Sequence, residues 1–336
     1  MKEKNKVVVI AEAGVNHNGS LKKALKMVDI ASNSGADYIK FQTFDPKSLA
    51  NSSLGLAQYQ RENSKNNNHL KMLSKLSLLE KDFKKIISRC KKKKIKFLSS
   101  PFDILSINIL KKFKVNIIKI PSGQIDDVPY LELIGSLKRK ILLSTGMSSL
   151  IDIKKALNIL ISKGTPKKNI ELLHCISQYP AEFGNLNLNS IKFLKKKLKL
   201  PVGFSDHSLG CDAALIAIGL GSRVIEKHFT LDKNLTGPDH KVSLNPQELS
   251  IFIRKIKNAE QSLGNYLKKP SKDELINKKY IRKKIVAAKE ISPGDLFTSK
   301  NITTKRSLDG SPAINWNKII GKKSKRKYME NQGIKI

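Results

Sequence analysis

Between Val202 and His240 two histidines close two successive apolar runs, Gly203-Phe204-Ser205-Asp206-His207 and Val224-Ile225-Glu226-Lys227-His228, and Gly237-Pro238-Asp239-His240 follows. If those runs are neighbouring parallel strands, their ends point the same way and both imidazoles can reach one site. A pair of neutral imidazoles suits a borderline divalent ion such as manganese, cobalt or zinc. It also leaves coordination positions for water and substrate, the pattern of a catalytic site. The competing reading is two core histidines whose ring nitrogens are satisfied by neighbours.

Further polar residues stand where other apolar runs end: Glu12, Lys40, Gln42, Ser100, Lys119, Ser122, Ser144, Ser177 and Ser205. Lys40 and Lys119, with serine hydroxyls beside them, are the means by which a protein without a P-loop holds a phosphate and a carboxylate on one small molecule. Glu12 is suited to proton transfer if burial raises its pKa. A metal held by the histidines would polarise a carbonyl oxygen. Together these groups describe the joining of an anionic phosphorylated nucleophile to an electrophilic carbonyl, which a sugar aldehyde and an enol phosphate would satisfy. Any one serine, taken alone, is more simply a turn or cap residue, so the argument rests on the set.

The elements needed to position them are legible in order. Buried strands are expected at Val7–Ala11, Asp37–Gln42, Lys96–Pro101, Ile117–Gly123, Ile141–Gly146, Ile170–Cys175, and in the two histidine runs. Helical periodicity alternates with them at Leu21–Ser34, Glu80–Lys93, Ile104–Phe113, Tyr130–Leu137, Leu150–Lys163, Ser190–Leu198, Cys211–Leu220 and Pro246–Leu263. Thr43 to Leu79 reads as a long polar segment, with loop signals at Asn51-Ser52-Ser53 and Asn66-Asn67-Asn68. Eight strands alternating with helices is the count of a (β/α)8 barrel, whose carboxyl-end rim carries the chemistry. Glu12-Ala13-Gly14-Val15-Asn16 lacks the Gly-rich turn of a dinucleotide fold. Residues 1–265 are therefore read as the barrel and 266–280 as a linker. Residues 281–336 form a small β-rich module of about 55 residues, near the lower limit for a self-sufficient core.

The chain has 64 Lys+Arg against 28 Asp+Glu, a formal charge of +36, and 40% hydrophobic residues. Such an excess raises nucleic acid as a partner. Yet the lysines at 91–94, 195–197 and 322–327 are dispersed and aromatics are few, so no stacking platform accompanies the charge. An anionic small substrate gains from the same positive potential. Cys90, Cys175 and Cys211 form no CxxC pair, which fits a reducing cytoplasm. The apolar run after the charged N-terminus, Val7 to Ala11, is too short for a signal or membrane segment.

Nine motifs in order resemble the sialic acid (nonulosonate) synthase family: E-A-G-V-N-H-N-G from Glu12, K-F-Q-T-F from Lys40, S-S-P-F from Ser99, K-I-P-S-G from Lys119, S-T-G-M from Ser144, G-F-S-D-H from Gly203, E-K-H-F-T from Glu226, G-P-D-H from Gly237 and N-I-T-T-K-R from Asn301. The resemblance implies a (β/α)8 TIM barrel followed by an antifreeze-like (SAF) domain. It implies condensation of phosphoenolpyruvate with an open-chain N-acetylated hexosamine, first N-acetylmannosamine giving N-acetylneuraminate. A diacetamido-trideoxyhexose giving N,N'-diacetyllegionaminate is the alternative, and pseudaminate fits K-F-Q-T-F less well.

By motif, His207 and His228 would be ligands of a divalent metal, usually Mn2+, with Mg2+ or Co2+ as substitutes, and Glu12 the acid/base. Lys40, Ser100, Lys119, Ser122, Ser144, Ser177 and Ser205 would hold phosphoenolpyruvate, and Gln42, Gln124, Tyr179 and Asp239 the sugar. Arg306 would reach the sugar's N-acyl group across a domain-swapped homodimer. The chain departs from the family at Gln124, where Glu is usual, at Ser177, where Asn or Thr is common, and in the turn Lys305-Arg306-Ser307-Leu308. A non-enzyme reading, a basic nucleic-acid-binding protein, gives no reason for Glu12, His207 and His228 on one rim.

Overall fold

The structure is a computed structural model, which describes residues 6–51, 68–265 and 267–335. The loop signals at Ser52-Ser53 and Asn66-Asn67 lie outside the described residues. The chain divides into two compact units, residues 1–264 and 265–336.

In the first unit eight parallel strands, β1 (Val8–Gly14), β2 (Tyr38–Thr43), β3 (Lys96–Pro101), β4 (Ile117–Ile120), β5 (Lys140–Ser144), β6 (Ile170–His174), β7 (Val202–Asp206) and β8 (Val224–His228), are hydrogen-bonded in the order β3-β2-β1-β8-β7-β6-β5-β4. The outer strands β3 and β4 lie side by side, so the sheet returns on itself as a TIM-type barrel. β1 runs on through Glu12 to Gly14, beyond the Ala11 expected from hydropathy, because the glutamate faces the barrel interior and not a loop. β4 stops at Ile120 and a single 3-10 turn, Ser122–Gln124, carries the chain away.

Strand alternation sorts the side chains into layers. Outward positions such as Val9, Ala11, Ile39, Phe41, Ile118, Ile141, Leu172, Phe204 and Ile225 join the main core with the surrounding helices. Inward positions near the strand starts, Ile10, Leu98, Leu142, Leu173 and Val224, plug the barrel. One step further along the same faces come Glu12, Ser100, Ser144 and Glu226. The plug is thus the floor of a polar chamber.

Helices begin where capping residues predict. Ser20 caps Leu21–Asn33 by accepting from the Lys23 amide, Asp103 caps Ile104–Lys112, and Ser149 with Asp152 and Asn245 with Glu248 form reciprocal capping boxes.

The segment read as polar loop contains helices Pro46–Leu49 and His69–Leu76, capped by Asp45 and Asn68. Their apolar faces form a separate cluster with Val15, Phe44 and Phe102. The supposed linker likewise holds a helix, Lys272–Ile281, with a Ser271/Glu274 capping box. In the second unit β9 (Lys283–Ala287) pairs antiparallel with β10 (Ile302–Arg306) over a core of Ile285, Ile291, Phe297, Ile302, Ile319, Tyr328 and Ile334. The run Ile291–Asp295 makes an isolated bridge from Ile291 to Tyr328.

Candidate active site

At the carboxyl end of the barrel the inward-facing residues open onto a cavity of about 580 Å³. Among those proposed from the sequence, it is lined by Glu12, Lys40, Gln42, Ser100, Lys119, Ser122, Ser144, Ser177, Tyr179, Ser205, His207, His228 and Asp239. Gln124 is not among them: its amide donates to the Phe102 carbonyl at 2.7 Å and it faces a neighbouring cleft with Ser48 and Asp127. The 3-10 turn after β4 rotates its side chain off the rim. Arg306 is an exposed residue at the end of β10 in the second unit.

The His207 and His228 rings stand 5.6 Å apart at their centroids, inclined by 62°. Both are buried, at 8% and 6% exposure, yet both face the cavity and not hydrocarbon. His207 Nδ1–H donates to the Ile176 carbonyl at 2.7 Å, which leaves Nε2 as a lone pair; the Tyr179 hydroxyl approaches that nitrogen at 3.2 Å. Burial lowers the His207 pKa to about 4 and, with His207 beside it, holds His228 well below the usual imidazole value. Both rings are therefore neutral at pH 7, the form that ligates metals.

His228 Nδ1 and Glu12 Oε2 are buried atoms with no hydrogen-bond partner among the described residues. These unsatisfied atoms beside the His207 Nε2 lone pair, which meets the Tyr179 hydroxyl, fit a divalent cation with open positions. No group of three or more His, Cys, Asp or Glu among the described residues is arranged to enclose one, so any such ion would keep solvent or substrate ligands.

Below the histidines lies a buried ion cluster. β1 pairs with β2 through Glu12 and Lys40 and with β8 through Glu12 and His228, which puts carboxylate, ammonium and imidazole in one row. Lys40 Nζ is 3.3 Å from Glu12 and 3.1 Å from Glu226, and Lys119 Nζ is 3.5 Å from Glu226. Ser205 donates to Glu226 at 2.9 Å, and Lys40 to Ser100 at 3.2 Å.

Glu226 is the functional residue that the sequence reading passed over. Burial alone would raise its pKa, but Lys119 and Lys40 hold it below the ordinary carboxylate range. Glu12, with fewer partners, is pushed by burial up to about 8, only partly offset by Lys40. Burial lowers Lys119, whereas Glu12 and Glu226 outweigh burial at Lys40 and raise it. Burial also lifts Asp239 to about 6. Two carboxyls a few ångströms apart are thus driven to opposite states, one protonated and one ionised, which is how a site separates an acid from a counter-ion.

On the far side of the chamber the amide of Gly146 donates to Ser122 Oγ at 3.0 Å. A Cβ at Gly146 would stand 2.4 Å from Ser177 Oγ and 2.8 Å from Ser122 Oγ, so the glycine keeps these hydroxyls convergent. Most of the remaining wall is apolar, contributed by Val15, Phe44, Met72, Leu73, Leu76 and Phe102, with the imidazole of His69 among them.

The sequence profile of the NeuB family matches residues 27–268, and that of the SAF domain residues 282–335. The chain belongs to the NeuB family. It is 45% identical to an N,N'-diacetyllegionaminic acid synthase of Campylobacter jejuni, over 98% of this chain and 99% of the relative. It is 38% identical to a Legionella pneumophila protein of the same name, over 93% and 89%. The crystal structure of an N-acetylneuraminic acid (sialic acid) synthetase from Leptospira borgpetersenii superposes with a TM-score of 0.73 at 34% identity, covering 82% of this chain and 92% of that one. The NeuB-family chain is an enzyme, a nonulosonate synthase of the phosphoenolpyruvate-dependent, carbon–carbon bond-forming class, and the non-enzyme reading falls. No helix among its described residues is long and apolar enough to cross a membrane.

Proposed function

We propose that the chain is an N,N'-diacetyllegionaminate synthase that condenses phosphoenolpyruvate with an open-chain diacetamido-trideoxyhexose and releases phosphate. The observation that carries the reaction is the meeting of His207, His228, Glu12 and two buried lysines in one cavity, where burial raises the Glu12 carboxyl to about 8. N-acetylmannosamine, placed first from the motifs, yields to the diacetamido sugar for two reasons. Two of the three proteins compared above, the more identical two, bear the legionaminic name, and the third is a sialic acid synthetase. The apolar wall of Met72, Leu73 and Leu76 also favours a deoxy methyl and acetyl methyls over added hydroxyls.

Lys40 and Lys119, with Ser100, Ser122, Ser144, Ser177 and Ser205, hold the phosphate and carboxylate of phosphoenolpyruvate. Gln42, Tyr179 and Asp239 orient the sugar. A divalent cation, Mn2+ by preference, held by His207 and His228 polarises the aldehyde when bound. C3 of phosphoenolpyruvate bonds to the aldehyde carbon, whose oxygen takes the proton of Glu12. The resulting carboxylate then accepts a proton from the water that adds at C2, and the C2–O bond to phosphate breaks as the C2 hydroxyl passes its proton to the departing phosphate and becomes the ketone. Arg306 of a second copy would contact the N-acyl group in a cytoplasmic homodimer.

The test is phosphate release from phosphoenolpyruvate with a panel of N-acylated sugars, with and without Mn2+. Metal-dependent release is expected, at least about tenfold faster in kcat/KM with the diacetamido sugar than with N-acetylmannosamine, roughly the discrimination that apolar contacts supply. His207→Ala and His228→Ala should each abolish it. A preference for N-acetylmannosamine overturns the acceptor, and activity retained in either alanine variant removes the metal assignment.

A further inference from the structure

Outward-facing positions on β1 to β8 belong to the layer between sheet and helices, which is apolar almost throughout. Asp206 and Lys227 break that rule. They are fully buried, at 1% exposure each, and stand opposite one another in the β7–β8 register. Lys227 Nζ donates to Asp206 Oδ2 at 2.8 Å and to the Ser208 carbonyl. The other oxygen of Asp206 accepts from the Ser208 amide at 2.9 Å and from the Ser208 hydroxyl at 2.6 Å. The ring of Phe252, on helix Pro246–Ser262, lies 5.9 Å from the ammonium.

An ion pair buried in that layer gains little over a hydrophobic pair of similar volume, because desolvation offsets the attraction. What it adds is geometry. Asp206 and Ser208 flank His207 along the chain, and Lys227 immediately precedes His228. Strand alternation sends the histidines inward while their neighbours lock together outside. The lock thus ties the residues on both sides of one imidazole to the residue immediately before the other.

We infer that Asp206, Lys227 and Ser208 form a positioning clamp that fixes the separation and tilt of His207 and His228 and thereby sets the affinity of the site for a divalent cation. This rests on the cation reading proposed above. Neither Asp206 nor Lys227 touches the cavity, so they are positioning residues and not catalytic ones.

The test is Mn2+ titration of the full-length, metal-free protein, read by the loss of free Mn2+ signal in electron paramagnetic resonance, beside thermal unfolding of each variant. The wild type should bind, and His207→Ala and His228→Ala should not. Lys227→Met, close in length and without charge, is expected to weaken Mn2+ binding by about 10 to 100-fold, the range seen when groups that orient metal ligands are removed. Ser208→Ala, which deletes one hydroxyl from the clamp and leaves the ion pair, is expected to fold and to weaken binding several-fold; it decides the matter if Lys227→Met does not fold. A folded Lys227→Met, or failing that a Ser208→Ala, that binds Mn2+ within twofold of wild type overturns the clamp while leaving the cation reading standing. Absence of Mn2+ binding by the wild type removes both.

Discussion

Glu226 occupies the space between two lysine side chains that an anionic substrate would also seek. Its Oε1 serves Lys40, Lys119 and Ser205, while Oε2 has no partner among the described residues. Glu226→Gln keeps an acceptor for Ser205 but leaves Lys40 and Lys119 with Glu12 as the one carboxyl near them among the described residues. Removing one partner from a buried charge cluster costs on the order of 3 kcal/mol. The variant should therefore melt well below wild type, recover part of that loss in millimolar phosphate, and lose at least about 100-fold in kcat/KM. Melting curves with and without phosphate check this; a variant as stable as wild type in phosphate-free buffer would show that the lysines do not depend on Glu226.

The residue escaped the sequence reading because attention went to polar residues at strand ends, and Glu226 lies two positions before His228, inside the run. The signal was available: period two from His228 puts 226 on the same inward face, and a charge there has no place in a plugged barrel. Gln124 is the converse case. A motif position predicted contact, but the turn that follows β4 decides where its side chain points, and no residue pattern gave that turn.

At the scale of elements, the strands and the helices around them were legible because each carries its own period, and the capping residues Ser20, Asp103, Ser149 and Asn245 mark where helices start. Helix His69–Leu76 was not. It is short, flanked by polar residues, and stabilised by docking rather than by propensity.

Its docking depends on Gly19, whose φ is +69° and whose position leaves a Cβ only 2.3 Å from the Lys75 carbonyl oxygen. Gly19→Ala must push the helix away, and with it Met72 and Leu76 at the cavity wall. The expected result is a loss of about 1–2 kcal/mol in stability, since both strain and overlap act. The KM for the sugar should rise several-fold with little change in that for phosphoenolpyruvate, whose lysines are on other elements. Equal rises in both would detach the apolar wall from the acceptor.

Arg306 was singled out by motif in a module whose own core is small, and the resemblance gives it a partner chain to act on. Arg306→Ala should raise KM for the sugar about tenfold or more and leave that for phosphoenolpyruvate nearly unchanged, the loss of a charge-assisted hydrogen bond to an acyl oxygen. Sedimentation should show a dimer in both proteins. A monomeric, fully active enzyme would place Arg306 outside the site.

For the molecule as a whole, acid is the most informative perturbation, because several of its histidines are folded away neutral. Burial lowers His17 and His240 to about 4 and lowers His174 as well, and all three stand apart from the proposed cation ligands. As pH falls below 6.5 the unfolded chain protonates these rings and the native chain does not, so stability is lost progressively down to about pH 4. Asp239 acts in the opposite sense. Raised to about 6, it binds its proton in the native state first and so stabilises the fold as pH drops from 6 toward the ordinary carboxylate value. His207 and His228, lowered likewise, add to the rings, and Glu12, raised to about 8, joins Asp239 among the carboxyls, so the rings still outnumber the carboxyls and unfolding near pH 5 takes up protons on balance, each worth at most about 1.4 kcal/mol per pH unit. Urea midpoints between pH 7 and 4.5, at fixed ionic strength because of the +36 charge, should fall steadily. His17→Gln should flatten the slope by nearly one proton. Midpoints that stay level or rise toward pH 5 would mean that these rings are already charged inside the fold, and the electrostatic picture of the barrel's upper layer would have to be redrawn around them.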